Sequence, residues 1–130
     1  MILSANTHTL NLTTSTTSEI DFTVSFVELS STTITPGAQE GQITSATNTQ
    51  ICDAPTGSNQ RQIKAITLFN SGSAANALVV NKTTGSTISV YKTTLQAGQS
   101  AVYSIDGGWQ RFDANGTPIT EPASKLGIQT

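Results

Sequence analysis

The sequence predicts an all-β protein: an antiparallel β-sandwich or jelly-roll-like domain with an N-terminal β-hairpin arm. Three observations lead there. The 130 residues include 23 Thr and 15 Ser, and a β-branched, hydroxylated side chain suits a half-exposed pleated surface. Only 11% of residues are charged, against about 25% in ordinary globular chains, so the outer faces are hydroxylated rather than ionic. Apolar residues recur with period two in short runs between turn residues, and no segment fits a helical period. A helical bundle needs more Leu, Ala, Glu and Lys than this chain holds.

Taken in order, residues 7–29 read as two strands. Residues 8–13 place Leu10 and Leu12 on one face, and a polar turn follows at 14–18. The strict alternation Ile20, Phe22, Val24, Phe26 marks the second strand. At Val27 and Leu29 the apolar phase inverts, which predicts a β-bulge or a turn to a new surface. Residues 30–48 are Ser/Thr-rich and broken by Pro36-Gly37, and read as an extended linker with a short strand at 42–45. The predicted organisation is an arm and linker at 1–48, a β-sandwich at 49–116 and an irregular tail at 117–130.

Within the sandwich, residues 49–54 form a strand that ends at Pro55-Thr56-Gly57. Residues 62–70 are apolar on both faces and belong at the centre of a sheet. A turn at Asn70-Ser71-Gly72-Ser73 leads to a hairpin, 77–82 with 86–92, around Thr83-Thr84-Gly85. Leu95-Gln96-Ala97-Gly98 turns into 100–105. Asp106-Gly107-Gly108 makes a tight turn into 109–112. Spacing of this kind is that of sandwiches and jelly rolls. Pro118 and Pro122 make the tail irregular. The expected core is Ile20, Phe22, Val24, Phe26, Ile63, Ile66, Leu68, Val79, Ile88, Val90, Val102, Trp109 and Phe112.

Charge and composition exclude several partners. A net charge of −2 with six basic residues leaves no electrostatic footprint for nucleic acid. No apolar run reaches the length of a membrane span. Met1-Ile2-Leu3-Ser4 lacks the basic and apolar regions of a secretory signal. The single Cys52 rules out an intrachain disulfide; beside Ile51 it reads as a buried, inert thiol.

No catalytic, cofactor-binding or metal-ligating residues are expected. His8 is the only histidine and has neither a nucleophile elbow nor a Cys/His cluster beside it. Asp113-Ala114-Asn115-Gly116 begins like a calcium loop, but Ser124 stands where the bidentate Glu belongs, which favours an Asx turn. The eight carboxylates are scattered. Trp109 and Tyr103 flank the Asp106-Gly107-Gly108 turn, where closing the core is favoured over a carbohydrate platform. The interface candidates are Leu10, Leu12, Phe22 and Phe26, since a two-stranded hairpin is marginal alone. Arg61 and Arg111 join them, as anchors for a carboxylate within the fold or across an interface.

Several segments are familiar in combination. They are Glu19-Ile20-Asp21-Phe22-Thr23-Val24-Ser25-Phe26, Thr35-Pro36-Gly37, Ile51-Cys52-Asp53-Ala54-Pro55 and Gln60-Arg61-Gln62-Ile63-Lys64. Further along come Leu68-Phe69-Asn70-Ser71, Leu95-Gln96-Ala97-Gly98-Gln99-Ser100, Gly107-Gly108-Trp109-Gln110 and Asp113-Ala114-Asn115-Gly116. In their order and spacing, over residues 19–116, the chain resembles small virion structural proteins of tailed bacteriophages. The resemblance implies a non-enzymatic protein made in the host bacterial cytoplasm and resident in the virion. The expected role is a capsid decoration, or cement, protein bridging neighbouring subunits. Its partners would be the major capsid protein or other virion proteins and further copies of itself, a trimer being favoured. A neck, tail or fibre component, and a glycan-binding module, are the alternatives.

Overall fold

A computed structural model describes residues 1–119. The strands are β1 (Ile2–Leu3), β2 (Thr9–Thr14), β3 (Ile20–Leu29), β4 (Ile34–Ile43), β5 (Asn48–Cys52), β6 (Gln60–Asn70), β7 (Asn76–Thr83), β8 (Thr87–Leu95), β9 (Ser100–Ser104) and β10 (Gly108–Phe112). Every pairing is antiparallel. One sheet has the order β10-β9-β6-β3-β4, with β1 also beside β6; the other is β5-β2-β7-β8. No helix occurs among the described residues.

Period-two alternation produces the core. Leu10 and Leu12 of β2, Ile20 and Val24 of β3, and Ile63, Ile66 and Leu68 of β6 are fully buried, with Val80 and Leu95 beside them. Each such side chain contributes roughly 1.5–3 kcal/mol when removed from water. Strand β6 occupies the central position its two-faced apolarity predicts, with β3 on one side and β9 and β1 on the other. The β7–β8 hairpin also forms where expected.

The N-terminal arm does not form as expected. Strands β2 and β3 lie in different sheets: β2 between β5 and β7, β3 between β6 and β4. Each has one strongly apolar face, and a position inside a sheet buries that face far better than a two-stranded unit does. Residues 15–19 therefore cross between the sheets. Asn76 holds the crossing: its Oδ1 accepts the Ser15 and Thr16 N–H groups at 2.9 and 3.2 Å, and its Nδ2 donates to the Ser18 carbonyl at 2.9 Å. Asn70, fully buried, donates to the carbonyls of Ala74 and Leu95 and accepts from Ser18 Oγ and Gly72 N–H. A buried amide is tolerable only when satisfied in this way.

The segment expected as a linker contains β4. The hairpin in this region is β3–β4, closed at Ser30–Thr33, where the Ser30 N–H donates to the Thr33 carbonyl at 3.0 Å. Residues 1–48 thus share both sheets with residues 49–116 and are not a separate arm. Of the tail at 117–130, residues 120–130 lie outside the described residues; Pro118 pairs with Phe112.

The expected core needs correction where both strand phases are apolar. In Leu78-Val79-Val80 it is Leu78 and Val80 that face inward; Val79 stands opposite Thr13, on the other face, and is half-buried. Val102 and Phe112 are half-buried for the same reason, while Ala101 takes the core position. Phe26 and Trp109 are also half-buried. Ile88 and Val90 are exposed, at 49% and 38%. They belong to an edge strand whose register shifts between Val80 and Asn81, leaving Val90 without an opposite residue.

Two measurements check this arrangement. Leu12→Ala should cost about 2–5 kcal/mol in urea denaturation, the penalty for a cavity in a packed core, and deletion of residues 1–29 should abolish cooperative unfolding altogether. Gly72→Ala should cost about 1–3 kcal/mol, an overpacking penalty, because an added Cβ would collide with the Ser18 side chain and stand 2.6 Å from the Glu19 nitrogen.

Candidate interaction site at the β3–β4 hairpin

Between Phe26 and Leu29 both faces of β3 carry large side chains. On the inward face, Glu28 stands opposite Arg61 of β6. Arg61 Nε donates to Glu28 Oε1 at 2.8 Å, and Thr56 Oγ1 and Asn59 Nδ2 each donate to Oε2 at 2.8 Å. Another guanidinium nitrogen of Arg61 donates to the Asp53 carbonyl at 3.0 Å. The hydrogen bonds from Asn59, then Arg61 and Thr56, hold the Glu28 carboxyl down at about 2. The set ties β3 and β6 to the loop between β5 and β6. Within it Arg61 and Glu28 form an ion pair.

Phe26 links this network to β4. The Arg61 guanidinium lies 4.1 Å from the centroid of its ring, a favourable cation–π distance. Opposite Phe26 is Gly37, and a Cβ there would stand 2.7 Å from the ring. Phe22 covers Gly41 in the same manner, at 3.0 Å. The rings thus fill the space that β4 leaves empty, and β4 keeps strand geometry despite two glycines.

The outward face explains the phase inversion at Val27. Strand β3 keeps its register with β4 throughout; the irregularity lies across from Ser25 and Phe26, where β6 skips Lys64. Val27 and Leu29 point outward in phase. Val27 is opposite Pro36 and Gln62, Ile2 is also opposite Gln62, and Leu29 is opposite Ile34 and Gln60. Opposed residues share a face. Ile2, Val27, Pro36, Leu29 and Ile34 therefore make an apolar surface with only glutamines in the same rows. Ile34 is 70% exposed and Ile2 41%.

The expected interface residues are distributed differently. Leu10 and Leu12 are fully buried and Phe22 nearly so, all within the chain's own core. Strands β2 and β3 do not pair into a hairpin that could present them to a partner. Phe26 is half-buried beneath Arg61, and Arg61 serves the network above. Arg111 lies in β10 opposite Ala101, and its carbonyl accepts the Ile119 N–H at 2.8 Å.

The remaining candidates have structural surroundings. Cys52 is buried, and although Arg61 reaches to 3.9 Å from its sulfur, burial pushes the thiol up. His8 Nδ1 lies 3.3 Å from Ser4 Oγ. Asp113 Oδ1 accepts the N–H groups of Asn115 and Thr117 at 2.9 Å, which is an Asx turn, and Gly116 takes φ +81°. Trp109 stacks on Tyr91 with centroids 4.1 Å apart and lies 5.3 Å from Tyr103. Tyr91 belongs to β8 in the other sheet, so one face of Trp109 is spent closing the gap between sheets. Among the described residues no group of three or more His, Cys, Asp or Glu side chains is placed to hold a metal ion.

No family model, no curated protein and no solved structure matches the chain.

Glu28 sets a pH dependence with a definite sign. Its carboxyl lies below the ordinary 4.5 in the folded chain, so its stabilisation is fully present above that value and is lost as pH falls towards about 2. The gap in urea midpoint between wild type and Glu28→Gln should be constant above pH 5 and close on acidification, as read by denaturation at a series of pH values.

Proposed function

We propose that this chain is a non-enzymatic structural protein of a tailed-phage particle, a capsid decoration protein that docks on neighbouring capsid subunits and bridges them. The observation that carries the reading is the apolar outer face of the β3–β4 hairpin. A hairpin of two ten-residue strands is held near its turn by the Arg61–Glu28 pair and exposes Ile34 beside that turn. Exposed apolar residues such as Ile88 and Ile105 are ordinary, but a cluster opposed across several strands marks a contact. Low charge supports the reading. Contacts made by apolar area and neutral hydrogen bonds lose little to salt screening, which suits a particle exposed to varied ionic strength. The resemblance over residues 19–116 supplies the virion setting.

The test uses heads of the cognate phage stripped of this protein. Wild-type chain should rebind to a copy number comparable to that of the capsid protein. Ile34→Asp, at a solvent-facing position, should fold normally and bind about tenfold to a hundredfold more weakly, the loss of one buried aliphatic side chain. A native copy number far below that of the capsid protein would assign the chain to the neck, tail or fibre instead.

A further inference from the structure

The free edge of β4 has no use in the fold or in the docking face described above. The backbone of β4 pairs with β3 alone; on the inward face its Gln39 side chain accepts the Asp53 N–H at 3.0 Å, which leaves the outer edge open. The Ser30 to Thr33 hydrogen bond fixes the alternation along the hairpin. Thr35, Gly37, Gln39 and Gly41 direct their backbone groups to β3, and those of Ile34, Pro36, Ala38, Glu40 and Gln42 point away from it. Exposed edges of this kind are ordinarily kept short, bulged, charged or covered. The other edges follow that rule: β5 and β10 have five residues each, β8 carries a bulge and Lys92, and β10 is partly covered by Pro118. Strand β4 is ten residues long, pairs with β3 without a register shift, and has Glu40 as its one charge.

We propose that β4 is a self-association strand, and that two copies of this chain join through it, antiparallel and edge to edge, about a two-fold axis at Ala38. In that register Ile34 stands opposite Gln42 of the second copy, Pro36 opposite Glu40, and Ala38 opposite Ala38. Every residue whose backbone points outward meets one that points back, for about eight hydrogen bonds once the missing Pro36 donors are subtracted. Charge selects the same register. With the axis at Ala38 each Glu40 faces a proline; with the axis at Glu40 the two carboxylates would be directly opposed, which is destabilising. Pro36 lacks its N–H on the outward side, so it costs no bond to β3 and limits how far the edge can pair in other registers. The result is one continuous sheet across two sandwiches, an isologous interface. It requires only a second copy of this chain and stands whether or not the particle is a phage head.

The experiment measures solution mass by sedimentation over a wide range of concentration, with circular dichroism to show that each variant folds. Wild type should be a reversible monomer–dimer. Ala38→Pro removes the central donor from each copy without taking a bond from β3, and should weaken the dimer roughly tenfold to a hundredfold. Ala38→Lys and Ala38→Asp each set like charges face to face and should weaken it about tenfold or more. Mixed in equal amounts, these two should recover a dimer containing one of each. A wild type that stays monomeric at every concentration, a trimer, a dimer indifferent to all three substitutions, or a mixture that does not recover would each overturn the proposal.

Discussion

The pairing of β3 with neighbours on both sides is the constraint on which the rest of the structure depends. Its ten residues run beside β4 and β6 for their whole length. Its inward side chains change character along the way. Ile20, Phe22 and Val24 fill the space between the sheets, whereas Phe26 and Glu28 lie where that space gives out. Past that point a hydrophobic core no longer holds the strands together. Arg61 replaces it, stacked on Phe26, paired with Glu28 and bonded to the Asp53 carbonyl. The reach of the hairpin is set by how far this substitute extends.

The polar interior follows a similar logic. In a chain with so few charges, buried amides do the work that ion pairs do elsewhere. Asn70 and Asn76 are fully buried and use both ends of their amide groups to fix the crossing between sheets. Asn81 donates to Thr13 and accepts from Ser89, joining three strands of the second sheet. Such networks carry little dependence on salt, which fits a chain with only 11% charged residues.

Fold class was legible because period two is a local signal. The alternation from Ile20 to Phe26 and the two-faced run of β6 placed those strands correctly. Pairing partners were not legible. Nothing within residues 7–29 says that β2 and β3 belong to different sheets, since the amides that hold the crossing lie some sixty positions away at Asn76. Strand β4 was hidden for a related reason. Gly37 and Gly41 look like flexible linker until Phe26 and Phe22 are seen above them. The phase change at Val27 and Leu29 is visible in the sequence, yet its outward direction follows from the register with β4. Of the site, Arg61 was singled out for its rarity, and Glu28 could not be matched to it before β3 and β6 were known to be neighbours. Nothing local marks Tyr91, because its partner Trp109 is in the other sheet.

Amide hydrogen exchange along β4, resolved by NMR, tests the central claim most directly: that β4 is a built strand with one bonded side and one side open to a second copy. In dilute solution the N–H groups of Gly37, Gln39 and Gly41 should be protected by β3, while those of Ala38, Glu40 and Gln42 exchange quickly. As concentration rises the second set should become protected and the first should not change. Uniformly fast exchange across the segment would contradict the hairpin, and fast exchange at Ala38 at every concentration would contradict the paired edge.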